Sequence, residues 1–268
     1  VMEAAGVPTA AWSRVSSVDD GMAAIARYPV VIKADGLAAG KGVVIAQSED
    51  EAREALTDML DRHVFGETDV VVEEHLEGEE VSLLALCDGE RAIPLAPAQD
   101  YKRIFDGDEG PNTGGMGAYS PLPWADPKLV EEVLQTVLQP TVDEMRRRGT
   151  PFSGLLYAGL AITSRGVRVI EFNARFGDPE TQVVLARLMT PLAGVLLAAA
   201  NGTLADLEPL RWSDDAAVTV VVASHNYPGT PRTGDPITGL DEVAAEDAPH
   251  AYVLHAGTRH DGDAVVSA

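Results

Sequence analysis

Val169–Gln182, VIEFNARFGDPETQ, permits few folds. Val169, Ile170 and Phe172 are apolar and β-favouring and predict a strand. Alternation along it sends Glu171 and Asn173 off the same strand face. A carboxylate beside an amide oxygen is a hard donor pair suited to Mg²⁺ next to a polyphosphate. Arg175 continues the alternation and can hold an anion through both arms of its guanidinium. The strand is expected to stop at Gly177, with Asp178 as helix cap and Pro179 as first helical residue. A half-buried strand with one ion pair carries the same E-x-N-x-R spacing, so on this stretch alone both readings stand.

A second stretch favours the phosphate chemistry. Val30–Val44, VVIKADGLAAGKGVV, places Lys33 in a β-branched run, then a glycine-rich loop, then a new strand at Val43-Val44. Gly36, Gly40 and Gly42 let backbone amides come close to a ligand, and Lys33 and Lys41 add positive charge. The pattern is neither a Walker A sequence nor a G-x-G-x-x-G turn before a helix. An ordinary hairpin would not need two lysines in an acidic chain. A third stretch, Val70–Val81 (VVVEEHLEGEEV), runs from apolar to acidic at Gly78. It reads either as a strand end that meets an adenine and a ribose or as a solvated acidic turn.

Together with Gln99–Arg103 (QDYKR) and Gly110–Pro121 (GPNTGGMGAYSP), these stretches resemble the ATP-grasp fold. Within it they resemble the phosphoribosylamine–glycine ligase family, over nearly the whole chain. The resemblance implies an α/β (α+β) chain with a mobile lid, a central catalytic part and a portion of a C-terminal β domain. The expected divisions are 1–13 as the end of a preceding helix, 14–74 as lid, 75–210 as catalytic part and 211–268 as β domain. It also implies the substrates ATP, glycine and 5-phosphoribosylamine, with Mg²⁺ or Mn²⁺. Lys33 would contact the ATP phosphates while the loop bearing Gly36, Gly40, Lys41 and Gly42 closes over them. Glu73 would stand beside the nucleotide, the backbone of Glu74 and Leu76 would hold the adenine, and Glu80 the ribose. Glu171 and Asn173 would hold the metal, with Gly159 standing where many ATP-grasp enzymes have a second acidic ligand. Arg175 would stabilise charge at the transferring phosphoryl group. Lys102, Asn112, Thr113, Gly114 and Gly115 would bind substrate, and Asp178 would meet the glycine amine or serve only as the helix cap. Another ATP-grasp carboxylate–amine ligase and a catalytically silent nucleotide-binding module are the rivals.

Composition narrows the partners. The net charge of −22 over 268 residues argues against a nucleic-acid partner, which calls for a basic footprint. The only cysteine, Cys87, rules out an internal disulfide framework, suits a reducing cytoplasm and, inside an apolar run, reads as core. Leu192–Ala200 is too short to span a bilayer, and no membrane partner is expected. The six histidines, at 63, 75, 225, 250, 255 and 260, show no ligand spacing, so zinc is not expected. The oligomeric state stays open, a monomer included. The resembling family has an N-terminal α/β domain that this chain is expected to lack, and the chain is expected to stop in Asp263–Ala268 before a final strand pairing.

Periodicity fills in the rest. Met2–Ala5 reads as a helix end stopped by Gly6, and Val18–Arg27 as a short helix. Ser48 is a good cap with Glu51 at the capping-box position, and Ala52, Ala55, Leu56, Met59 and Leu60 form a core stripe. Val81–Cys87 is β-type, with Arg91–Ala98 as an edge partner. Tyr101–Tyr119 has no convincing period and reads as a long loop whose Asn112–Gly115 amides are free for an anion. Val130–Leu138 is a helical face that Pro140 kinks or ends. Gly154–Thr163 and Val167–Phe172 read as a hairpin. Ala217–Ala223 reads as a buried strand and Ala251–Ala256 as a further strand.

Overall fold

A computed structural model describes residues 1–36, 42–243 and 251–268. Helix α1 (Met2–Ala5) ends at Gly6, whose left-handed φ of 68° caps it. The chain then runs alongside a central strand, Thr9 Oγ1 donating to the Val169 carbonyl at 2.7 Å. The first sheet uses β1 (Trp12–Val15), β2 (Val30–Ala34), β3 (Val43–Ala46) and β4 (Val70–Glu74), with helices α2 (Val18–Ala24) and α3 (Glu49–Leu60) between them. Its order is β1-β4-β2-β3, antiparallel throughout. The capping-box expectation holds at α3. Ser48 Oγ accepts from the Glu51 amide at 3.3 Å, and the Glu51 carboxylate reaches back to the Gln47 amide at 2.8 Å. A cap of this kind is worth about 1 kcal/mol. The predicted stripe from Ala52 to Leu60 is buried against Val15, Val30, Ile32, Val70 and Val72, a hydrophobic core belonging to this sheet alone.

The second body is built on β5 (Gly78–Asp88). It continues through β6 (Ala92–Pro94), β7 (Gln99–Phe105), β8 (Glu109–Ser120), α4 (Leu129–Val133) and α5 (Gln139–Arg147). It closes with β9 (Ser153–Thr163), β10 (Gly166–Asn173), α6 (Glu180–Arg187), α7 (Leu192–Asn201) and β11 (Ala217–Val220). The sheet β10-β9-β5-β6 is covered on both faces, which is why β5 reads as a continuous apolar run. Val81, Leu83, Ala85 and Cys87 face α4 and α5, whereas Leu84 and Leu86 face α6, α7 and the second sheet β11-β8-β7. Burial pushes the Cys87 thiol up to about 12, so this cysteine is an unreactive part of the core. Pro140 does not end its helix. Helix runs on from α4 through a π-helical turn at Leu134–Leu138 into α5, and this wider turn directly precedes the proline, whose missing N–H cannot bond to the turn before it.

The structure departs from the sequence reading in several places. Tyr101–Tyr119 is not a loop but the hairpin β7–β8, with register shifts around Arg103. Its outer half is exposed on both faces, so no apolar alternation marks it. Strand β10 ends at Asn173, and Arg175 lies in the following bend rather than on the strand. Strand β11 pairs with β8 but is not buried: it alternates half-buried and exposed residues, with Val218 and Val220 facing out. Finally, the strand expected at Ala251–Ala256 lies instead at β13 (Thr258–Asp261), after β12 (Pro236–Ile237) and helix α8 (Leu240–Val243). Residues near the chain end do pair, as β14 (Ala264–Ser267) between β12 and β13.

Candidate active site

The two sheets meet at the end of β10. There Asn173 Nδ2 donates to Glu171 Oε1 at 3.0 Å, so the carboxylate and amide stand together as the alternation required. Glu171 is paired across the sheet with Gly159, which in turn pairs with Ser82 of β5, putting these residues in one row. With no side chain on Gly159, that row leaves its space to Glu171, whose Cγ is 3.4 Å from where a Gly159 Cβ would be. Lys33 reaches this place from the other sheet. Its Nζ donates to the Ile170 carbonyl at 3.1 Å and pairs with Glu73 at 2.6 Å. The Lys33–Glu73 pair, distant in sequence from β10, is thus fastened to the strand that carries Glu171 and Asn173.

This donor set fits a hard divalent cation. Glu171 offers carboxylate oxygens, and rotating the Asn173 amide presents its oxygen on the same side. Among the described residues no group of three or more His, Cys, Asp or Glu side chains is arranged to hold a metal. A two-residue set suits Mg²⁺, which is commonly held by one or two carboxylates, substrate phosphates and water.

Beside it lies a second polar cluster, most of which the sequence reading missed. Lys102 Nζ pairs with Glu80 at 3.1 Å and stands 3.9 Å from Asp100. The two residues expected to serve different ligands, Glu80 for the ribose and Lys102 for substrate, thus face each other. Burial alone would lower the Lys102 ammonium, but the charges of Asp100 and Glu80 outweigh it and hold its pKa raised. Asp100 Oδ2 is buried without a hydrogen-bond partner. Burial pushes its carboxyl up to about 6, Lys102 opposing and the charges of Glu180 and Glu80 adding to the rise. Deeper still, the Tyr157 hydroxyl donates to Glu180 Oε1 at 2.6 Å, and Ser82 Oγ lies 2.8 Å from that hydroxyl and 3.2 Å from the same carboxylate oxygen. Burial, then the charges of Glu180 and Asp100, raise the Tyr157 pKa and keep it a donor. The sequence signal was present but faint: a serine and a tyrosine interrupting the apolar runs of β5 and β9. Only the strand register shows that they meet.

The remaining expected residues divide. Asp178 does not cap α6. The helix begins at Glu180, one turn position later, and the Asp178 carboxylate instead accepts from the Gln182 side chain at 2.7 Å. The amides of Asn112–Gly115 are not all free. Gly114 N–H donates to the Tyr227 hydroxyl at 3.0 Å and Gly115 N–H to Thr113 Oγ1 at 3.0 Å. The Thr113 hydroxyl in turn donates to the Lys102 carbonyl at 2.7 Å, closing the hairpin on itself. Gly115 does meet the Asp178 turn: at φ 129°, a Cβ there would come within 2.3 Å of Pro179 Cδ and 3.1 Å of the Asp178 carbonyl. Arg175 is exposed, one arm donating to the Phe176 carbonyl at 2.9 Å. At the strand end of β4, Glu74 Oε1 accepts from Arg165 at 2.8 Å and from the Ala11 amide at 3.0 Å. The Arg165 hydrogen bond lowers its pKa against the opposing effect of burial. Leu76 follows in the connection to β5. Gly36 lies against Thr68 and the Gly42 carbonyl accepts from Ala34, closing β2 on β3 at 2.9 Å. Gly40 and Lys41 lie outside the described residues.

Comparison with known proteins gives the family and the fold. Residues 1–181 match the model of the phosphoribosylglycinamide synthetase ATP-grasp (A) domain, and residues 217–268 that of the C domain of the same synthetase. A phosphoribosylamine–glycine ligase of Streptomyces coelicolor is 75% identical over 100% of this chain and 63% of its own length. The chain thus spans about three-fifths of the curated relatives it matches. The crystal structure of a phosphoribosylamine–glycine ligase from Thermotoga maritima superposes with a TM-score of 0.86 at 32% identity, covering 99% of this chain and 66% of that one. The biotin carboxylase domain of a Hydrogenobacter thermophilus 2-oxoglutarate carboxylase shares the fold, at TM-score 0.65 and 19% identity over 88% of this chain and 53% of that one. No helix among the described residues is long and apolar enough to cross a membrane. The fold is an ATP-grasp fold, and the chain belongs to the phosphoribosylglycinamide synthetase family.

Proposed function

We propose that the protein takes part in the ATP-dependent ligation of glycine to 5-phosphoribosylamine, giving glycinamide ribonucleotide, ADP and phosphate. The observation that carries this reading is the junction itself, where Lys33 of one sheet lies against the Ile170 carbonyl next to the Glu171–Asn173 pair of the other. Family membership supplies the reaction class. In the reaction, a glycine carboxylate oxygen attacks the γ-phosphorus of ATP, the bond to the β-phosphate oxygen breaks, and ADP leaves. The ribosylamine nitrogen then attacks the carbonyl carbon of glycyl phosphate, phosphate departs with the bridging oxygen, and the nitrogen gives up a proton.

In this reading the chain positions and neutralises charge and supplies no covalent nucleophile. Lys33 holds phosphate oxygens, and Glu171 and Asn173 are the residues that would hold Mg²⁺ or Mn²⁺. Such an ion, when bound, neutralises phosphate charge. Arg175, exposed in the bend after β10 with one arm on the Phe176 carbonyl, turns its guanidinium to the transferring phosphoryl group, and Asp178 meets the glycine amine. Glu74 and Leu76 present backbone groups to the adenine, and Glu80 takes the ribose. The 14–74 portion then serves as lid over the 75–210 portion, which fits a first sheet whose hydrophobic core is its own. ADP release by the full-length protein, with glycine and phosphoribosylamine omitted in turn, tests the reading. Release that needs both supports it. Release with other acids or amines instead points to a different carboxylate–amine ligase, and none at all to a silent nucleotide-binding module.

A further inference from the structure

Two side chains deep in the second body have no part in the reaction just described. Glu180, the first residue of α6, is only 3% exposed, and Tyr157 only 5%. A buried carboxylate needs a reason, because burial without partners costs several kcal/mol. Here the partners come from two strands of the main sheet, Tyr157 on β9 and Ser82 on β5. The carboxylate also touches the turn before its own helix. A Cβ on Gly177 would lie 2.6 Å from Glu180 Oε2, so the carboxylate rests on the Gly177 backbone. The Thr181 amide donates to the Gly177 carbonyl at 3.3 Å and closes the same turn. On its other side the turn is held by Gly115, packed on the Asp178 carbonyl and Pro179.

We propose that Glu180 is a positioning residue: its buried carboxylate, fastened to Tyr157 and Ser82, fixes the turn that carries Arg175 and Asp178 onto the sheet that carries Glu171 and Asn173. The catalytic part of this statement rests on the ligase reading above. The same Ser82 hydroxyl is 3.5 Å from Asp100 on the strand that bears Lys102, so the anchor sits where three elements with candidate site residues converge. Glu180 itself touches neither nucleotide nor amino acid in this scheme. It acts through the turn, and misplacement of reacting groups by about 1 Å can cost about 100-fold in rate.

The test uses the full-length protein and three variants: Glu180→Ala, Glu180→Gln and Tyr157→Phe. Hydrogen exchange of the Thr181 amide, which donates to the Gly177 carbonyl, reads the turn directly, without turnover. In Glu180→Ala this exchange should quicken at least about tenfold while the amides of β9 keep their protection. The glycine-dependent kcat should fall about 100-fold, with the KM for ATP changed less than about threefold. Glu180→Gln keeps an oxygen acceptor for Tyr157 and Ser82 and should recover to within about fivefold of the parent. Unchanged exchange at the Thr181 amide in a folded Glu180→Ala would overturn the proposal. So would a Gln variant as slow as Ala, or a loss of protection spread evenly through β9 and α6. If the Ala variant does not fold, Tyr157→Phe, which removes one hydroxyl, must show the quickened exchange, and its absence overturns the proposal equally. A parent protein with no glycine-dependent ADP release would sink the ligase reading, and the exchange measurement would still judge the anchor.

Discussion

Asp100→Asn should stabilise the protein at neutral pH and leave it unchanged in acid. The side chain is 3% exposed, its Oδ2 has no hydrogen-bond partner, and its one nearby cation stands 3.9 Å away. Proton supply is short here: Ser82 has one hydroxyl proton, and the Tyr157 oxygen, Glu180 and Asp100 all lie within its reach. The folded carboxyl therefore keeps its proton up to about 6, against 3.8 as the ordinary value. Between these two values the folded state holds a proton that the unfolded state has lost, so unfolding releases one proton and stability falls as pH rises. Above about pH 7 the loss is complete. At 1.36 kcal/mol per pKa unit, the move from 3.8 to about 6 corresponds to about 3 kcal/mol. An amide cannot ionise and escapes that loss. Urea unfolding of parent and variant from about pH 3.5 to about pH 8 measures it, and subtracting one curve from the other removes the repulsion common to both acidic chains. The variant's advantage should grow from about pH 4 to pH 6, between the unfolded and folded values, and level off above about pH 7 at up to about 3 kcal/mol. A difference that is flat across this range would refute the account of Asp100 as a strained buried carboxyl.

Three further outcomes are expected. Glu171→Gln should lower ADP release by at least about 100-fold, as loss of a first metal contact would, while the melting temperature stays within about 2 °C because the side chain is exposed; near-normal turnover at saturating Mg²⁺ would count against the metal assignment. Gly115→Ala should cost about 1–3 kcal/mol in unfolding free energy, because φ is 129° and its Cβ would meet Pro179 at 2.3 Å, and an unchanged denaturant midpoint would show that the hairpin does not clamp the turn. Oxygen-18 placed in the glycine carboxylate should pass to the released phosphate, one atom per turnover, and phosphate free of label would rule out the acyl-phosphate route.

The parts that were legible in the sequence are those whose chemistry is local. Ser48 and Glu51 cap α3 within four residues of chain, and the stripe from Ala52 to Leu60 repeats every three or four positions. Glu171 and Asn173 are two apart on one strand, so alternation alone puts them together. The hairpin β7–β8 was not legible because its outer half meets solvent on both faces and leaves no apolar record. Asp178 was misread as a cap because an Asp-Pro pair before a helix usually is one. Here the first turn is instead taken over by Glu180, which faces inward to Tyr157. The Ser82–Tyr157–Glu180 junction could not have been read from the sequence, since it requires the register of β5 against β9 and the seating of α6 on both.

In the ligase reading proposed above, a chain of net charge −22 must still offer cations to a polyphosphate. The two candidate lysines among the described residues are each held by a carboxylate: Lys33 by Glu73 at 2.6 Å, Lys102 by Glu80 at 3.1 Å. A free lysine on a flexible stem would spread its charge over many rotamers and lose that freedom on binding, at up to about 2 kcal/mol of side-chain entropy. Lys33 has surrendered much of that freedom already, its ammonium fixed by Glu73 on one strand and the Ile170 carbonyl on another. The acidic partners thus weaken each lysine's field but fix its direction. For phosphoryl transfer, where placement of charge matters more than its amount, that exchange favours catalysis.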